Sequence, residues 1–333
     1  MRRRALVTGV AGQDGSYLAE QLLDDGYAVT GLVRPTTDLV RIAHLAAQGL
    51  ELVEGDLTEH ASLLRAVRDV QPHEVYNLGA QTFVPRSFER PLETFATNAS
   101  GVWNLLEAVH RLAPRARFFQ AATSEMFGRP ASSPQDEASP FAPRSPYGLA
   151  KLTAHYAVRH FREERGLFCV SGIHFNHESP RRGASFVTQK VATAAARIAL
   201  GLQQTVALGN LDAQRDWGHA ADHVRAMRAM LAADEARDYV VATGRGSSVR
   251  ELCAAAFERV GLDWSRHVVV DPKLVRPAEH PPLVGDPARA RAELGWSPRY
   301  DFAELVAEMT DAAMAREEAA SGASTRRPGD LSD

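Results

Sequence analysis

The chain is short of cysteine, of one-sided charge and of long apolar runs. Its 333 residues hold two cysteines, Cys169 and Cys253, both in apolar contexts. They read as core residues in a reducing cytoplasm. The net charge is -3, so no basic field points to nucleic acid. No apolar run reaches membrane-spanning length, and no signal-peptide core follows Met1. The Arg2-Arg3-Arg4 cluster runs directly into a strand candidate and reads as a solvated edge. No internal repeat is visible. What is left is an ordinary globular composition, 45% hydrophobic and 24% charged, in a chain long enough for two lobes.

Three glycines near the start carry the first signal. The segment Ala5-Leu6-Val7-Thr8 reads as a buried parallel strand. Gly9, Gly12 and Gly15 then allow a tight turn and a close approach of backbone to a pyrophosphate, with Gln13 and Asp14 between them. An amphipathic stretch follows, with Leu18, Leu22 and Leu23 on one face and Asp25-Gly26 as its stop. Phosphates would sit at this helix's N-terminus, where amides point outward. The spacing is G-x-x-G-x-x-G, and its place between strand and helix favours a dinucleotide over an ordinary turn. The next strand candidate, Ala28 to Val33, ends in Arg34-Pro35-Thr36-Thr37. An acidic residue there would bind the ribose 2′-hydroxyl of NAD. An arginine and two hydroxyls suit a 2′-phosphate instead, so NADP is expected.

Strand and helix alternate along the chain, which predicts an α/β fold: a Rossmann-like, doubly wound parallel sheet. Further strands are expected at Leu50–Val53, Glu74–Leu78, Arg117–Ala121, Phe168–Ile173 and Tyr239–Ala242. Helices are expected at Ala61–Val70, Val102–Leu112 and Tyr147–Glu164. The alternation breaks down from Asn176 to His219 and again from Pro272 to Pro282. The expected division is therefore a cofactor domain of 1–173 plus about 220–262 and a smaller C-terminal substrate-binding lobe of 174–219 plus about 263–318. Residues 319–333, with Ser321-Gly322-Ala323-Ser324, read as a disordered tail.

The catalytic signal is Thr123-Ser124-Glu125 followed by Tyr147-Gly148-Leu149-Ala150-Lys151. Tyr-x-x-x-Lys places a phenol and an ammonium one helical turn apart on one face. The ammonium favours the phenolate, so Tyr147 can act as a base near neutral pH. Thr123 can share the proton being moved. Glu125 supplies a second base. One base can oxidise an alcohol, and a second can take a carbon-bound proton. Together they point past a plain dehydrogenase to a dehydratase. His174 with His177 and Glu178 could form a metal site. Residues three apart at a strand end point to different faces, so no metal is expected.

These phrases together resemble the extended short-chain dehydrogenases/reductases, and within them the GDP-mannose 4,6-dehydratases. The matching segments are Thr8 to Leu18 (TGVAGQDGSYL), Gly55 to Thr58, Asn77 to Gln81, Thr123 to Glu125 and Pro143 to Gly148. They continue with Phe175 to Gly183 (FNHESPRRG), Phe186 to Thr188, Leu208 to His219 (LGNLDAQRDWGH) and Arg276 to Glu279. FNHESPRRG and GNLDAQRDWGH are the most specific of them. The resemblance implies that Gly9, Gly12, Gln13, Asp14 and Gly15 hold a pyrophosphate, and that Asp56 and Leu57 border the adenine. It implies that Leu78, Gly79, Ala80, Gln81 and Thr82 line the middle of NADP, with His177 and Arg182 closing over it. It assigns Asn176, Lys190, Arg215, Arg276 and Glu279 to the nucleotide-sugar, in keeping with the fit of arginine forks to a diphosphate. A homodimer or homotetramer is implied as well.

The expected reaction is the 4,6-dehydration of GDP-mannose with transient NADP reduction. Tyr147, with Lys151 and Thr123, handles the proton of the 4-hydroxyl. Glu125 removes the C5 proton, and Ser124 or the protonated Glu125 assists departure of the 6-hydroxyl as water. Three other readings stay open on these residues. A reductase on the same fold would consume NADPH and can also carry a glutamate at 125. An epimerase needs the Tyr-Lys pair but no acid there. A non-catalytic NADP-sensing module has little reason to keep Thr123, Glu125, Tyr147 and Lys151 together.

Overall fold

The first apolar run does form a strand buried on both faces, and its side chains show why. In β1 (Arg4–Thr8), Ala5, Leu6 and Val7 are all fully buried. Ala5 and Val7 point to one face, where they join Leu18 and Leu22 of the helix Gln13–Asp24 and Val224, Met227 and Met230 of the helix Ala220–Ala232. Leu6 points to the other face. There it meets Leu63 of His60–Val70, Leu105 and Val109 of Gly101–Leu112, and Val158 and Phe161 of Pro146–Arg165. The period of two along a strand thus feeds two helical layers at once. Each such large apolar side chain contributes about 1.5–3 kcal/mol by burial.

The computed structural model describes residues 2–275 and 282–322. The central sheet adds β2 (Ala28–Val33), β3 (Glu51–Glu54), β4 (Glu74–Asn77), β5 (Arg117–Thr123), β6 (Cys169–His174) and the strand Tyr239–Val241. All its pairings are parallel. The strand order is Tyr239–Val241, β6, β5, β4, β1, β2, β3. The order reverses between β1 and β4, and such a reversal opens a crevice at the carboxyl ends of the strands. The expected α/β, Rossmann-like doubly wound sheet is therefore what the chain forms. The predicted strands and helices of this sheet are all present, with boundaries shifted by at most two residues.

The chain divides into two compact units. One comprises Met1–His177, Arg215–Gly246 and Glu279–Arg299, and the other comprises Glu178–Gln214, Ser247–Ala278 and Tyr300–Asp333. Residues 174–177 and 215–219, expected in the smaller lobe, fall in the larger unit, and two longer stretches also change place. The helix Val249–Arg259 packs on Val187–Ala199 and Phe302–Ser321, so it belongs to the smaller unit. The segment around Trp296 belongs to the larger one. Its indole donates to Asp222 O at 2.8 Å, and the Arg299 amide donates to Asp222 Oδ2 at 2.8 Å.

The smaller unit has its own core and helix signals. Val191, Ala195, Leu252, Leu305 and Met309 are buried in it. Val206–Leu208 pairs in parallel with Val268–Val270. Capping boxes at Ser248/Glu251 and Asp301/Glu304 satisfy the first amides of two of its helices. The stretch 176–219, read as irregular, contains the helix Val187–Ala199. The presumed tail begins too early, because the last helix runs to Ser321 and closes on Gly322 in the left-handed region at φ 65. Residues 323–333 lie outside the described residues.

Candidate active site

The glycine-rich turn is built so that no side chain could replace Gly9 or Gly15. Gly9 has φ 67, and a Cβ there would stand 2.8 Å from Gly79 N. A Cβ on Gly15 would stand 2.3 Å from Gly9 O and 2.6 Å from Val10 Cα. These contacts press the turn onto the loop after β4 and bring the first turn of Gln13–Asp24 to the crevice. Gln13, Asp14 and Gly15 supply amides at that helix N-terminus, the local geometry that favours an anion.

Beside the turn, the loop after β4 is fixed by side chains. Asn98 exchanges two 2.8 Å hydrogen bonds with the backbone of Gln81, which sets the path of Leu78, Gly79, Ala80, Gln81 and Thr82. Leu57 is buried close under Gly79 and Gly101. Asp56 Oδ1 accepts from the amide and hydroxyl of Thr58 at 2.8 and 2.7 Å. Arg34 is exposed at the end of β2, where its amide donates to Thr37 Oγ1 at 3.0 Å.

The catalytic candidates meet at the end of β5. Thr123 is its last residue, and Thr123 Oγ1 accepts from the Glu125 amide at 3.3 Å. That bond opens a short 3-10 turn, Ser124–Met126, which carries Ser124 and Glu125 past the strand. The Ala142 amide donates to Met126 O at 3.0 Å, drawing the chain after it back to this turn. Ser145 then caps the helix Pro146–Arg165 by accepting from the Gly148 amide at 3.0 Å. A Cβ on Gly148 would stand 2.7 Å from Glu125 O, so the helix start packs directly on the turn. Tyr147 and Lys151 lie on this helix and are only 8% and 4% exposed.

Lys151 Nζ donates to Ala121 O at 2.8 Å. Burial pushes its ammonium down to about 8, against the opposing pull of the Asp14 carboxylate. The same carbonyl accepts from Gln120 Nε2 at 2.9 Å. Gln120 Oε1 in turn accepts from Asn77 Nδ2 at 2.7 Å, and Asn77 Oδ1 accepts from Thr8 Oγ1 at 2.6 Å. The Gly79 amide donates to Thr8 Oγ1 at 2.9 Å. A buried polar chain thus crosses β1, β4 and β5 and ends on the atom that holds Lys151. Thr8, Asn77, Gln120 and the Ala121 carbonyl are absent from the sequence-based site. Asn77 lay within a recognised phrase, but nothing local marked Gln120.

His177 stands on the short strand Asn176–Glu178 with Asn176 before it. Its Nε2 lies 2.8 Å from Asp14 Oδ2 and its Nδ1 lies 2.8 Å from Phe175 O. Gln13 Nε2 donates to His177 O at 3.1 Å. His174 and His177 do come together, contrary to the expectation that they face apart. Their rings lie 5.4 Å apart because His177 has left β6 for the next strand. His223 completes a cluster in which one ring nitrogen from each of the three histidines lies within 4.8 Å of the others. The geometry suits hydrogen bonding better than an ion. The His174 and His223 Nδ1 atoms are 2.9 Å apart, closer than the ~3.3 Å that tetrahedral ligation at Zn–N distances imposes. His177 and His223 stack at 4.2 Å and 22°, so their in-plane lone pairs do not converge. Glu178, the third residue of the expected set, instead accepts from Thr188 Oγ1 at 2.7 Å.

In the smaller unit, Arg182 Nε lies 2.9 Å from Glu178 Oε2, and its guanidinium covers the Phe186 ring at 3.5 Å. Lys190 Nζ donates to Ala207 O at 2.7 Å. In the larger unit, Arg215 bridges through its backbone to Leu283. Arg276 and Glu279 lie outside the described residues.

A family model described as GDP-mannose 4,6 dehydratase matches residues 6–309. The chain belongs to the GDP-mannose 4,6-dehydratase family. It is 46% identical to the GDP-mannose 4,6 dehydratase of Homo sapiens over 93% of this chain and 91% of that protein. Among solved structures it resembles RMD from Pseudomonas aeruginosa complexed with NADPH. That likeness has a TM-score of 0.81 and 26% identity, over 95% of this chain and 100% of that one. It also resembles DesIV, the dTDP-glucose 4,6-dehydratase of Streptomyces venezuelae with NAD and TYD bound. There the TM-score is 0.83 with 26% identity, over 95% and 98% of the two chains. Family membership fits the pairing of a Tyr-Lys helix with an acid at the end of β5.

Proposed function

We propose that this protein is a nucleotide-sugar 4,6-dehydratase that converts GDP-mannose to GDP-4-keto-6-deoxymannose. The observation that carries the reading is the packing of the Tyr147 helix onto the turn that holds Glu125. The two residues proposed as bases, Tyr147 and Glu125, thereby lie on adjoining elements. Family membership supports the same chemistry. A nicotinamide cofactor fits the crevice. The glycines leave room for a diphosphate, and the first turn of Gln13–Asp24 offers it amides. When bound, that cofactor supplies reversible hydride transfer.

The chain's own residues then divide the proton work. Tyr147, held beside the charge of Lys151, takes the proton of the sugar 4-hydroxyl. Thr123 keeps its hydroxyl hydrogen for sharing, because its oxygen already accepts from Glu125. Glu125 removes the hydrogen at C5, made acidic by the ketone at C4. Ser124 or the protonated Glu125 then delivers a proton to the departing 6-hydroxyl, which leaves as water. Asn176, Lys190, Arg215, Arg276 and Glu279 are proposed to hold the nucleotide-sugar, and Arg182 to close on the cofactor. No metal takes part in this proposal.

The decisive experiment incubates the protein, as purified and without added cofactor, with a panel of nucleotide-sugars. GDP-mannose should yield a product lighter by one water. Turnover only with NADPH, consumed in proportion to product, would replace the dehydratase reading with a reductase.

The cofactor is proposed to be NADP, on the strength of Arg34 at the end of β2 and the hydroxyls of Thr36 and Thr37 beside it. Arg34→Ala should weaken NADP by about 1–3 kcal/mol, the range of a charge-assisted contact, and leave NAD nearly unchanged. Calorimetry on both cofactors checks this, and equal weakening would remove Arg34 from the 2′-phosphate site.

The protein is further proposed to form a homodimer or homotetramer. Leu92, Trp103, Leu149 and Tyr156 expose between 46% and 84% of their surface on neighbouring helices, an apolar face suited to a second copy. No helix among the described residues is long and apolar enough to cross a membrane. A cytoplasmic location is proposed because both cysteines are free and buried, and burial pushes each thiol up to about 12.

A further inference from the structure

The carboxylate of Asp14 stands where it should do harm. It sits in the first turn of the helix whose N-terminus faces the crevice, and it is half-buried. A diphosphate entering there would meet a fixed negative charge at short range. The hydrogen bonds around His177 resolve the conflict. Its Nδ1 faces the Phe175 carbonyl and its Nε2 faces the Asp14 carboxylate, both at 2.8 Å. Neither partner can donate while Asp14 is ionised, so both ring nitrogens must carry hydrogen. His177 is then an imidazolium.

Resting on the reading of this turn as the cofactor cradle, we propose that His177 is a positioning residue. As a fixed cation it neutralises Asp14 and latches the glycine-rich turn to the strand after β6, so that the turn accepts a diphosphate.

The surroundings fit that role. Burial alone would raise the Asp14 carboxyl, but the charge and hydrogen bond of His177 hold it well below the usual carboxylate range. Gln13 adds a second clasp, donating to Asp14 Oδ1 and to His177 O, each at 3.1 Å. The groups packed around the pair leave His177 as the cation that contacts Asp14. His223 stacks on the His177 ring at 4.2 Å, and His174 lies behind it. Burial keeps both of these neutral, His174 being pushed down to about 3. Their Nδ1 atoms share one hydrogen bond, while His174 Nε2 and His223 Nε2 have no partner among the described residues. His219 caps the helix that carries His223 by accepting from the Ala221 amide. Lys151, the other cation that Asp14 acts on, is committed to Ala121 O.

The test is a fluorescence titration of the full-length protein with NADPH, across pH, for the wild type, His177→Asn, and His177→Asn combined with Asp14→Asn. His177→Asn leaves Asp14 uncompensated, and its affinity should fall at least about tenfold near neutral pH. The double variant removes both charges and should recover most of that loss. It keeps Lys151, so its pH profile reports what Lys151 alone contributes. The wild type should lose affinity more steeply than the double variant as rising pH strips the proton from His177. Three results would overturn the proposal: wild-type affinity in His177→Asn, a double variant no better than the single one, or superimposable pH profiles. If the single variant does not fold, the wild-type and double-variant profiles still decide. Failure of the wild type to bind NADPH at any pH would instead reject the cofactor reading.

Discussion

Tyr147→Phe is expected to bind nucleotide-sugar and cofactor and then do nothing. On rapid mixing with GDP-mannose it should show no rise in the absorbance of reduced nicotinamide, and turnover should fall by about 10²–10⁴ as for a missing general base. The loss is chemical because the aromatic ring stays and only the hydroxyl is removed. Its position is set by the cap at Ser145 and by the packing of Gly148 on Glu125 O, neither of which involves the hydroxyl. The pH dependence adds a second readout. Lys151 is protonated below about 8 and neutral above it. Its charge therefore supports Tyr147 on the acid side, and the wild-type rise should shrink as pH climbs through that value. A Tyr147→Phe variant that still produced the full rise would move the first proton transfer to another group, with the Thr123 hydroxyl the next candidate.

Most of the elements behind that prediction are legible locally. The run Ala5–Val7, the glycines after it and the Tyr147-x-x-x-Lys151 spacing are short-range signals, and they survive in any surroundings. The parts that were not legible depend on where helices go. The Val187–Ala199 helix has a clear apolar face, with Val191, Ala195 and Ile198 buried, but it lies in a stretch whose glycines, arginines and histidines masked it. Val249–Arg259 continues the alternation of the large sheet in sequence, yet it packs on Val187–Ala199 and Phe302–Ser321. Periodicity reveals that a helix has an apolar face, not which neighbour covers it. His223 is 49 positions from its partner His174 and reaches it only because Ala220–Ala232 covers β6. The atom that holds Lys151 is a main-chain oxygen, and no sequence pattern marks a carbonyl. Glu125 and Tyr147 were legible as candidates because each lies in a short local pattern, Thr123-Ser124-Glu125 and Tyr147-x-x-x-Lys151.

Glu125→Gln should separate the two halves of the reaction. The Thr123 hydroxyl accepts from the backbone amide of residue 125, so the substitution leaves the turn Ser124–Met126 intact. Glutamine keeps the size and most of the hydrogen bonding of glutamate but cannot take a proton. Tyr147 and Lys151 are untouched, so oxidation at C4 should proceed at close to the wild-type rate. The variant should then stall and accumulate the absorbance band of reduced nicotinamide, which in the wild type is transient. Overall turnover should drop by about 10²–10⁴. The sharper measurement is isotopic. In deuterated water the wild type should place deuterium at C5 of the product, because the proton taken by Glu125 is exchanged or replaced from solvent. The substrate recovered from the variant should carry none. This outcome differs from that of Tyr147→Phe, which should show neither the band nor the exchange, and the contrast assigns each base its step. Normal turnover in Glu125→Gln, or exchange at C5 at the wild-type rate, would mean that the elimination base lies elsewhere and that an acid at the end of β5 does not by itself make a dehydratase.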